Sequence, residues 1–244
     1  MTRGRCVRRV AVIVPAHNEA VLLPDCLAAL RRAAANSPVP VEVIVVADAC
    51  DDATADVVGA PRGRQYRESV ITVRFRNVGA ARRSGVETAL RDGRDGLWVA
   101  TTDADTLVHP DWICHQIAHA EHGADLVLGT VKARDWTAWT PAIAAEYQRR
   151  YESKLSATGH AHVHGANLGV AAAMYQRVGG FRALASSEDV ALVQEVRAAG
   201  GRVVTALDIP VLTSTRPDHR APAGFGDHLH RLRAAVGLAD RDGT

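Results

Sequence analysis

No stretch of this 244-residue chain approaches the roughly 20 consecutive apolar residues that a membrane helix needs, so no transmembrane segment is expected. Aromatic residues are scarce at 5% against 47% hydrophobic overall, which leaves the core to be built from Ala, Val, Leu and Ile. The four cysteines, Cys6, Cys26, Cys50 and Cys114, are far apart and form no C-x-x-C pair. Neither a disulfide framework nor a zinc site is therefore indicated, and a reducing cytoplasm is the expected compartment. Neither sign of charge dominates: 29 basic residues face 27 acidic ones, and a formal charge of +2 gives no footing for nucleic acid. A Gly-Lys dipeptide is missing, which removes a standard P-loop. The one G-x-G, Gly224-Phe225-Gly226, comes late and without a preceding strand, which argues against a nicotinamide site.

What is present has the length of one large domain. Arg3, Arg5, Arg8 and Arg9 precede the run Val10 to Val14 in the manner of a signal peptide, but the run stops at Pro15 and His17-Asn18-Glu19 follows. The arginines keep peripheral contact with a membrane open. Oligomeric state is not legible in the sequence.

Short β-branched runs alternate with amphipathic segments, the pattern of βα units on a mostly parallel sheet. Strands are expected at Val10–Val14, Val41–Val46, Val70–Phe75 and Leu97–Thr101, with helices at Ala20–Ala35, Asp52–Val58 and Val78–Arg91. Asp51 or Asp52 is the expected cap of the second helix. After Asp105 the pattern loosens into a helix at Pro110–His122, a strand at Asp125–Val131 and a long helix at Trp139–Leu155. A loop is expected at His160–Gly169, a helix at Glu188–Ala199 ended by Gly200-Gly201, a strand at Arg202–Ala206 and a short helix near Asp227–Val236. In an open parallel sheet ligands bind beyond the carboxyl ends of the strands, so the residues following each strand carry the candidate chemistry.

Thr101-Thr102-Asp103-Ala104-Asp105 is the strongest signal. Residues two apart at a strand end point to one side, so both carboxylates can face one hard cation, which would neutralise diphosphate oxygens. A turn with two solvated acids is the alternative. Pro15, Ala16, Asn18 and Glu19 end the first strand at an open helix N-terminus suited to a nucleotide, although Asn18 also reads as an ordinary cap. Asp48 ends the second strand on the same edge, where its carboxylate can accept from a base N–H or a ribose hydroxyl. Asn77 opens the helix after the third strand, and Arg82 or Arg83 can reach a phosphate from it. Glu188 and Asp189 head a late helix, where a carboxylate can serve as general base or simply complement the helix dipole. His160, His162 and His164 alternate, but no acid is spaced to complete a metal site. His164 with Gly165 and Asn167 is expected to line an acceptor pocket.

Taken in order, these segments resemble the family 2 glycosyltransferases over residues 8 to 206. Pro15, Asn18 and Glu19 match the opening motif, while Asp48, Asp52 and Thr54 match that of the second strand. Asn77, Gly79 and Arg82 follow, then Asp103 and Asp105 with Pro110-Asp111-Trp112. Gly165-Ala166-Asn167, Gly179-Gly180-Phe181 and Glu188-Asp189 are similar to the acceptor-side motifs. Ala47 departs from the usual paired acids, Cys50 stands where Ser is common, and the Gln-x-x-Arg-Trp signature of processive synthases is missing.

The resemblance implies an α/β fold of the GT-A type, a single Rossmann-like domain with a mostly parallel central sheet flanked by helices. It would span residues 8–210, with a nucleotide-binding half at about 8–105, an acceptor-binding half at about 106–210 and a tail, 211–244, closing over the site. It further implies Mn2+ or Mg2+ on Asp103 and Asp105, with His219 as a third metal ligand. Pro15, Ala16, Asn18, Glu19, Asp48, Asn77, Arg82, Asp103 and Ala104 would contact a nucleotide-diphospho-sugar, UDP-linked as the first expectation. Inverting transfer to a hydroxyl of a discrete lipid or small molecule would use Asp189 as base, with Glu188 beside it, and Arg216 and Arg220 could close over the diphosphate. Two rivals remain: a silent sugar-nucleotide binder, and a haloacid-dehalogenase-like phosphohydrolase, whose motif Asp103 to Leu107 partly resembles.

Overall fold

The computed structural model describes residues 6–59, 63, 65–218 and 225–242, with side chains to 235. Its centre is β1 (Arg9–Ala16), whose residues Val10 to Val14 are all at most 2% exposed. Each such apolar side chain contributes about 1.5–3 kcal/mol by leaving water. A run apolar on both faces is what a strand covered on both sides requires.

β1 lies parallel between β2 (Val41–Asp48) and β4 (Leu97–Thr101), and β3 (Tyr66–Val73) extends the parallel set beyond β2. Strand order thus reverses between β1 and β4, which opens a crevice at their carboxyl ends. Pro15 and Ala16 finish β1 there, and Asp103 follows β4. Helix α1 (Leu23–Ala35) links β1 to β2, and α2 (Val78–Leu90) lies across both strands.

Beyond β4 the sheet continues through β9 (Leu168–Ala171), β6 (Leu126–Arg134), β10 (Val203–Ser214) and β5 (Thr106–Val108). β9 is antiparallel to both neighbours, β10 parallel to β6, and β5 antiparallel to β10. The remaining helices are α3 (Trp112–Glu121), α4 (Pro141–Glu152), α5 (Ala172–Arg177), α6 (Glu188–Ala198) and α7 (Phe225–Asp242). A small hairpin, β7 (Leu155–Ser156) and β8 (Gly159–His160), follows α4. A second apolar cluster, Trp139, Ile143 and Tyr147 with Leu229 and Leu232, glues α4 to α7. No described helix is long and apolar enough to cross a membrane.

Several expectations are corrected. The helix expected at Asp52–Val58 is a single 3-10 turn, Ala53–Ala55, capped by Asp52, whose Oδ1 accepts from Thr54 N at 2.9 Å. β3 begins four residues earlier than expected and ends at Val73. Leu168–Gly169 belongs to a strand and not to a loop. The strand needs glycine: a Cβ at Gly169 would sit 2.0 Å from Gln116 Oε1, the acceptor for Trp98 Nε1. β10 continues to Ser214, so residues 211–214 of the expected tail are part of the sheet. The late helix starts at Phe225 and runs on to Asp242.

Candidate active site

A cleft of about 1080 Å3 runs from the strand ends of β1, β2 and β4, past the head of α6, to α4 and α7. Pro15, Ala16, Asn18, Glu19, Asp48, Asn77, Arg82, Asp103, Ala104, Asp105, His164, Gly165, Glu188 and Asp189 all line it. The local backbone is strained around this edge. Five described non-glycine residues have positive φ, and Asn18, Ala49, Arg76 and Ser187 are four of them, at 55°, 52°, 47° and 62°. Such conformations cost roughly 1–3 kcal/mol each and persist where surrounding contacts over-determine them.

Asp48 supplies one set of those contacts. Its carboxylate accepts from Phe75 N at 2.6 Å, Arg76 N at 2.9 Å and Asn77 N at 2.9 Å, tying the β3–α2 turn to the end of β2. Asn77 caps α2 by accepting from Ala80 N at 2.9 Å. Asn18 is not a helix cap: its Oδ1 accepts from Asp51 N at 2.9 Å, joining the β1 and β2 turns. Asp48 and Asn77 thus build the rim of the cleft.

Arg82 departs furthest from expectation. It is 4% exposed, and its guanidinium lies between two carboxylates, donating to Asp103 Oδ1 at 2.6 Å and to Glu188 Oε1. Its Nε finds no partner. A Cβ at Gly165 would lie 2.5 Å from Arg82 Nη1, so the glycine makes room for this ion pair. Glu188, expected beside the base, is 3% exposed and paired with Arg82. Arg83 is on the surface, donating to Gly179 O at 3.0 Å.

Asp189 is set differently. Its Oδ2 accepts from Gly165 N at 2.7 Å and its Oδ1 from Val190 N at 2.7 Å. Two fixed N–H groups orient the carboxylate and leave it acceptor capacity toward the cleft. The turn through Ser187 places Glu188 and Asp189 on opposite errands, one inward to Arg82 and one to the cleft.

Asp103 and Asp105 both line the cleft. The Asp103 side chain is 38% exposed and that of Asp105 is 19%. Burial, and next the Asp103 carboxylate, push the Asp105 pKa up to about 6. Arg216 offsets part of this from 3.7 Å, while pairing with Glu19 in bidentate fashion, Nη1 to Oε2 at 2.6 Å and Nη2 to Oε1. Burial opposes the charge of Arg216, yet Glu19 and Asp105 hold its pKa above the usual value. The segment after β10 is thereby strapped to the first strand's end.

Asn167 is corrected outright. It is 0% exposed and does not line the cleft. Its amide donates to Thr130 O at 2.8 Å and Ile209 O at 2.6 Å and accepts from Trp112 Nε1 at 2.9 Å, stitching β6, β10 and α3 together. His164 does face the cleft; its Nε2 is buried with no partner, and burial, then His162 and His160, push its pKa down to about 3. His219 and Arg220 lie outside the described residues. Among the described residues no group of three or more His, Cys, Asp or Glu is arranged to hold a metal.

The sequence reading missed the far wall of the cleft, Tyr147, Arg150, Tyr151 and Lys154 on and after α4, with Phe225 and His228 from α7. Tyr147 and Tyr151 stand four apart on one helix, the spacing that could have marked a shared face.

With this geometry in hand, the comparisons agree. The model of glycosyl transferase family 2 matches residues 11–177. The chain belongs to that family. The undecaprenyl-phosphate 4-deoxy-4-formamido-L-arabinose transferase of Serratia proteamaculans is 32% identical over 142 residues, covering 57% of this chain and 41% of that protein. The protein of the same name from Pseudomonas savastanoi is 30% identical over 152 residues, 61% of this chain and 41% of its own. The chain therefore spans less than half the length of these relatives. Among solved structures, S. aureus TarS 1–349 in complex with UDP-GlcNAc superposes with TM-score 0.66 at 17% identity, covering 93% of this chain and 66% of that one. The mannosyltransferase PcManGT from Pyrobaculum calidifontis, in complex with GDP-Man and Mn2+, gives 0.63 at 22% identity, covering 96% and 71%. Both likenesses show the GT-A fold, the mixed α/β sheet flanked by helices. Family membership sets the phosphohydrolase reading aside.

Proposed function

We propose that this chain is a metal-dependent, inverting glycosyltransferase that moves a sugar from a nucleotide-diphospho-sugar to a hydroxyl of a discrete lipid or small-molecule acceptor. The observation that carries the reading is the meeting of Asp103, Asp105 and Arg82 with Asp189 in one cleft, at the edge where the strand order reverses. Relatives named as undecaprenyl-phosphate transferases support a lipid among the acceptors. Solved relatives holding UDP-GlcNAc or GDP-Man with Mn2+ support the donor class, with UDP the first nucleotide to try.

The residues suit a divalent ion. Burial first, and the Asp103 carboxylate second, raise Asp105, and a cation held by the two would offset both. Only two carboxylates are offered, which suits Mg2+ or Mn2+ completing its shell with substrate phosphates and water. When bound, the ion would supply Lewis-acid neutralisation of the departing diphosphate. His219 is a candidate further ligand on the resemblance alone.

The chain's own residues have separate tasks in this reading. Pro15, Ala16 and Asn18 offer a backbone edge to the nucleotide, and Asp48 keeps that edge rigid. Arg82 holds Asp103 in place from within, with Glu188 as its counter-charge. Arg216 closes the strand-end side through Glu19. Asp189 accepts the acceptor's proton as the new bond forms, and its two N–H contacts keep it aimed. With Glu188 held by Arg82, Asp189 is the carboxylate at the head of α6 left to act as a single base, which fits one direct displacement, hence inversion.

Turnover of UDP-, GDP- and dTDP-sugars with manganese tests the proposal. Asp189→Asn is expected to lower donor turnover about 100- to 10,000-fold while nucleotide affinity stays within about twofold. Unchanged turnover in that variant would remove Asp189 as the base, whereas nucleotide binding by the parent chain with no turnover of any donor would favour the silent-binder reading.

A further inference from the structure

Position along the sheet edge separates the two ends of a bound donor. Asp103 follows β4, and the loop that orients Asp189 is tied to the same strand: Thr101 Oγ1 donates to Gly165 O at 2.6 Å, and Gly165 N donates to Asp189 Oδ2 at 2.7 Å. A nucleotide-diphospho-sugar carries its diphosphate between sugar and nucleoside. With the sugar toward Asp189 and the diphosphate at Asp103 and Asp105, the nucleoside extends the other way, across β1 to the ends of β2 and β3. His17, Asp48, Asp51 and Arg76 line the cleft there.

Little at that end is free to read a base. Ala47 has no polar side chain, and the Asp48 carboxylate commits three of its roughly four acceptor sites to the N–H groups of Phe75, Arg76 and Asn77. His17 is different. Its Nδ1 lies 2.7 Å from Asp48 O, and a carbonyl oxygen only accepts, so in the neutral ring Nδ1 carries the hydrogen. Nε2 is then an acceptor, and it makes no hydrogen bond among the described residues. The turn that carries the ring is fixed from both sides: Asn18 N donates to Cys50 Sγ at 3.4 Å, Cys50 Sγ donates to Ala16 O at 3.4 Å, and Asp51 N donates to Asn18 Oδ1 at 2.9 Å. The half-buried imidazole is thus held in place ahead of any nucleotide, which lowers the cost of binding. Arg76, whose N–H is bound to the same Asp48, adds guanidinium donors at the mouth.

An acceptor flanked by donors matches one edge of nucleobase chemistry, the ring N–H beside a carbonyl that uracil, thymine and guanine share. Cytosine and adenine present a ring-nitrogen lone pair there, which would meet the lone pair of His17 with no hydrogen between them. We infer that His17 selects the base of the donor: Nε2 accepts from the ring N–H of a lactam base and Arg76 donates to the neighbouring carbonyl, so that uridine, thymidine or guanosine diphospho-sugars enter and cytidine and adenosine ones are refused. This rests on the donor reading above and adds the class of base to it.

Calorimetric titration of the full chain with manganese at pH 8 tests the inference, with UDP against CDP as the pyrimidine pair and GDP against ADP as the purine pair. In the pair that binds, the lactam member is expected to bind at least about tenfold more tightly. Methylating its ring nitrogen, as in 3-methyl-UDP or 1-methyl-GDP, should remove that advantage in the unaltered chain, which needs no variant to fold. His17→Phe keeps a ring without the acceptor, and should bring the two members of the pair within about twofold while far-UV dichroism matches the parent. CDP or ADP binding as tightly as its partner, undiminished affinity for the methylated base, or a preference that survives His17→Phe would overturn the inference, the last by passing the choice to Asp48 or Asp51. Absence of any nucleoside diphosphate binding in the parent chain would sink the donor reading and this inference with it, whereas binding without choice of base sinks only this one.

Discussion

At the strand-end side of the cleft the carboxylates are already engaged by the protein: Asp48 by three backbone N–H groups, Glu19 by Arg216, and Asp103 and Glu188 by Arg82. At the α4 side the rings stack on one another, while the buried Nε2 of His164 has no partner among the described residues. The contrast teaches where each half gains its specificity. The first half is a preorganised frame, whose strained turns at Asn18, Ala49 and Arg76 are held by side-chain acceptors. The second is a wall of stacked rings, which the proposed function assigns to the acceptor.

The contrast can be broken most severely at Arg82. Replacing it by Leu strands the buried Glu188 carboxylate, so a loss of about 3–5 kcal/mol is expected in urea unfolding, against less than about 0.5 kcal/mol for Arg83→Leu. Equal effects would mean that the Arg82 ion pair is not the keystone described. Asn167 sharpens the boundary between frame and surface. Asn167→Ala leaves Trp112 Nε1 and the Thr130 and Ile209 carbonyls without their partner, with an expected cost of about 2–3 kcal/mol. As a packing residue it should shift the melting midpoint without a matching rise in acceptor KM.

Asp105 tests the frame by pH. Its pKa of about 6 in the folded chain exceeds the ordinary 3.8, so its favourable contribution is full below about pH 4 and is lost as pH rises through 6. Metal-free Asp105→Asn is therefore expected to be more stable than the parent at pH 8, by about 1–3 kcal/mol, with the gain shrinking toward pH 4. Thermal melts at the two pH values check this. The smallest effect is expected at His164: His164→Gln keeps a polar tip, should barely alter stability, and should raise acceptor KM roughly tenfold with donor KM unchanged.

The frame was largely legible in the sequence because it follows local rules. β1, β2 and β4 announce themselves as apolar runs, and Pro15, Asp48 and Asp103 follow strand ends whose shared edge is a property of parallel sheets. β9 was not legible: four residues containing a glycine carry no periodicity, and its antiparallel pairing is decided by Trp98, Gln116 and the strands on either side. The ion pairs were also hidden, since Arg82 and Glu188 are 106 positions apart and Arg216 and Glu19 are 197 apart. Asn167 was misassigned because a motif position gives no direction for a side chain. The stack of His162 on Tyr151 joins α4 to the β8–β9 loop, a contact no local pattern records.

Nucleotide binding at the paired aspartates tests the account most directly. Calorimetric titration of UDP into the parent chain should show manganese tightening binding at least about tenfold, and Asp103→Asn should remove that dependence while the fold, followed by far-UV dichroism, is retained. UDP affinity indifferent to manganese, or a manganese effect that survives Asp103→Asn, would contradict it.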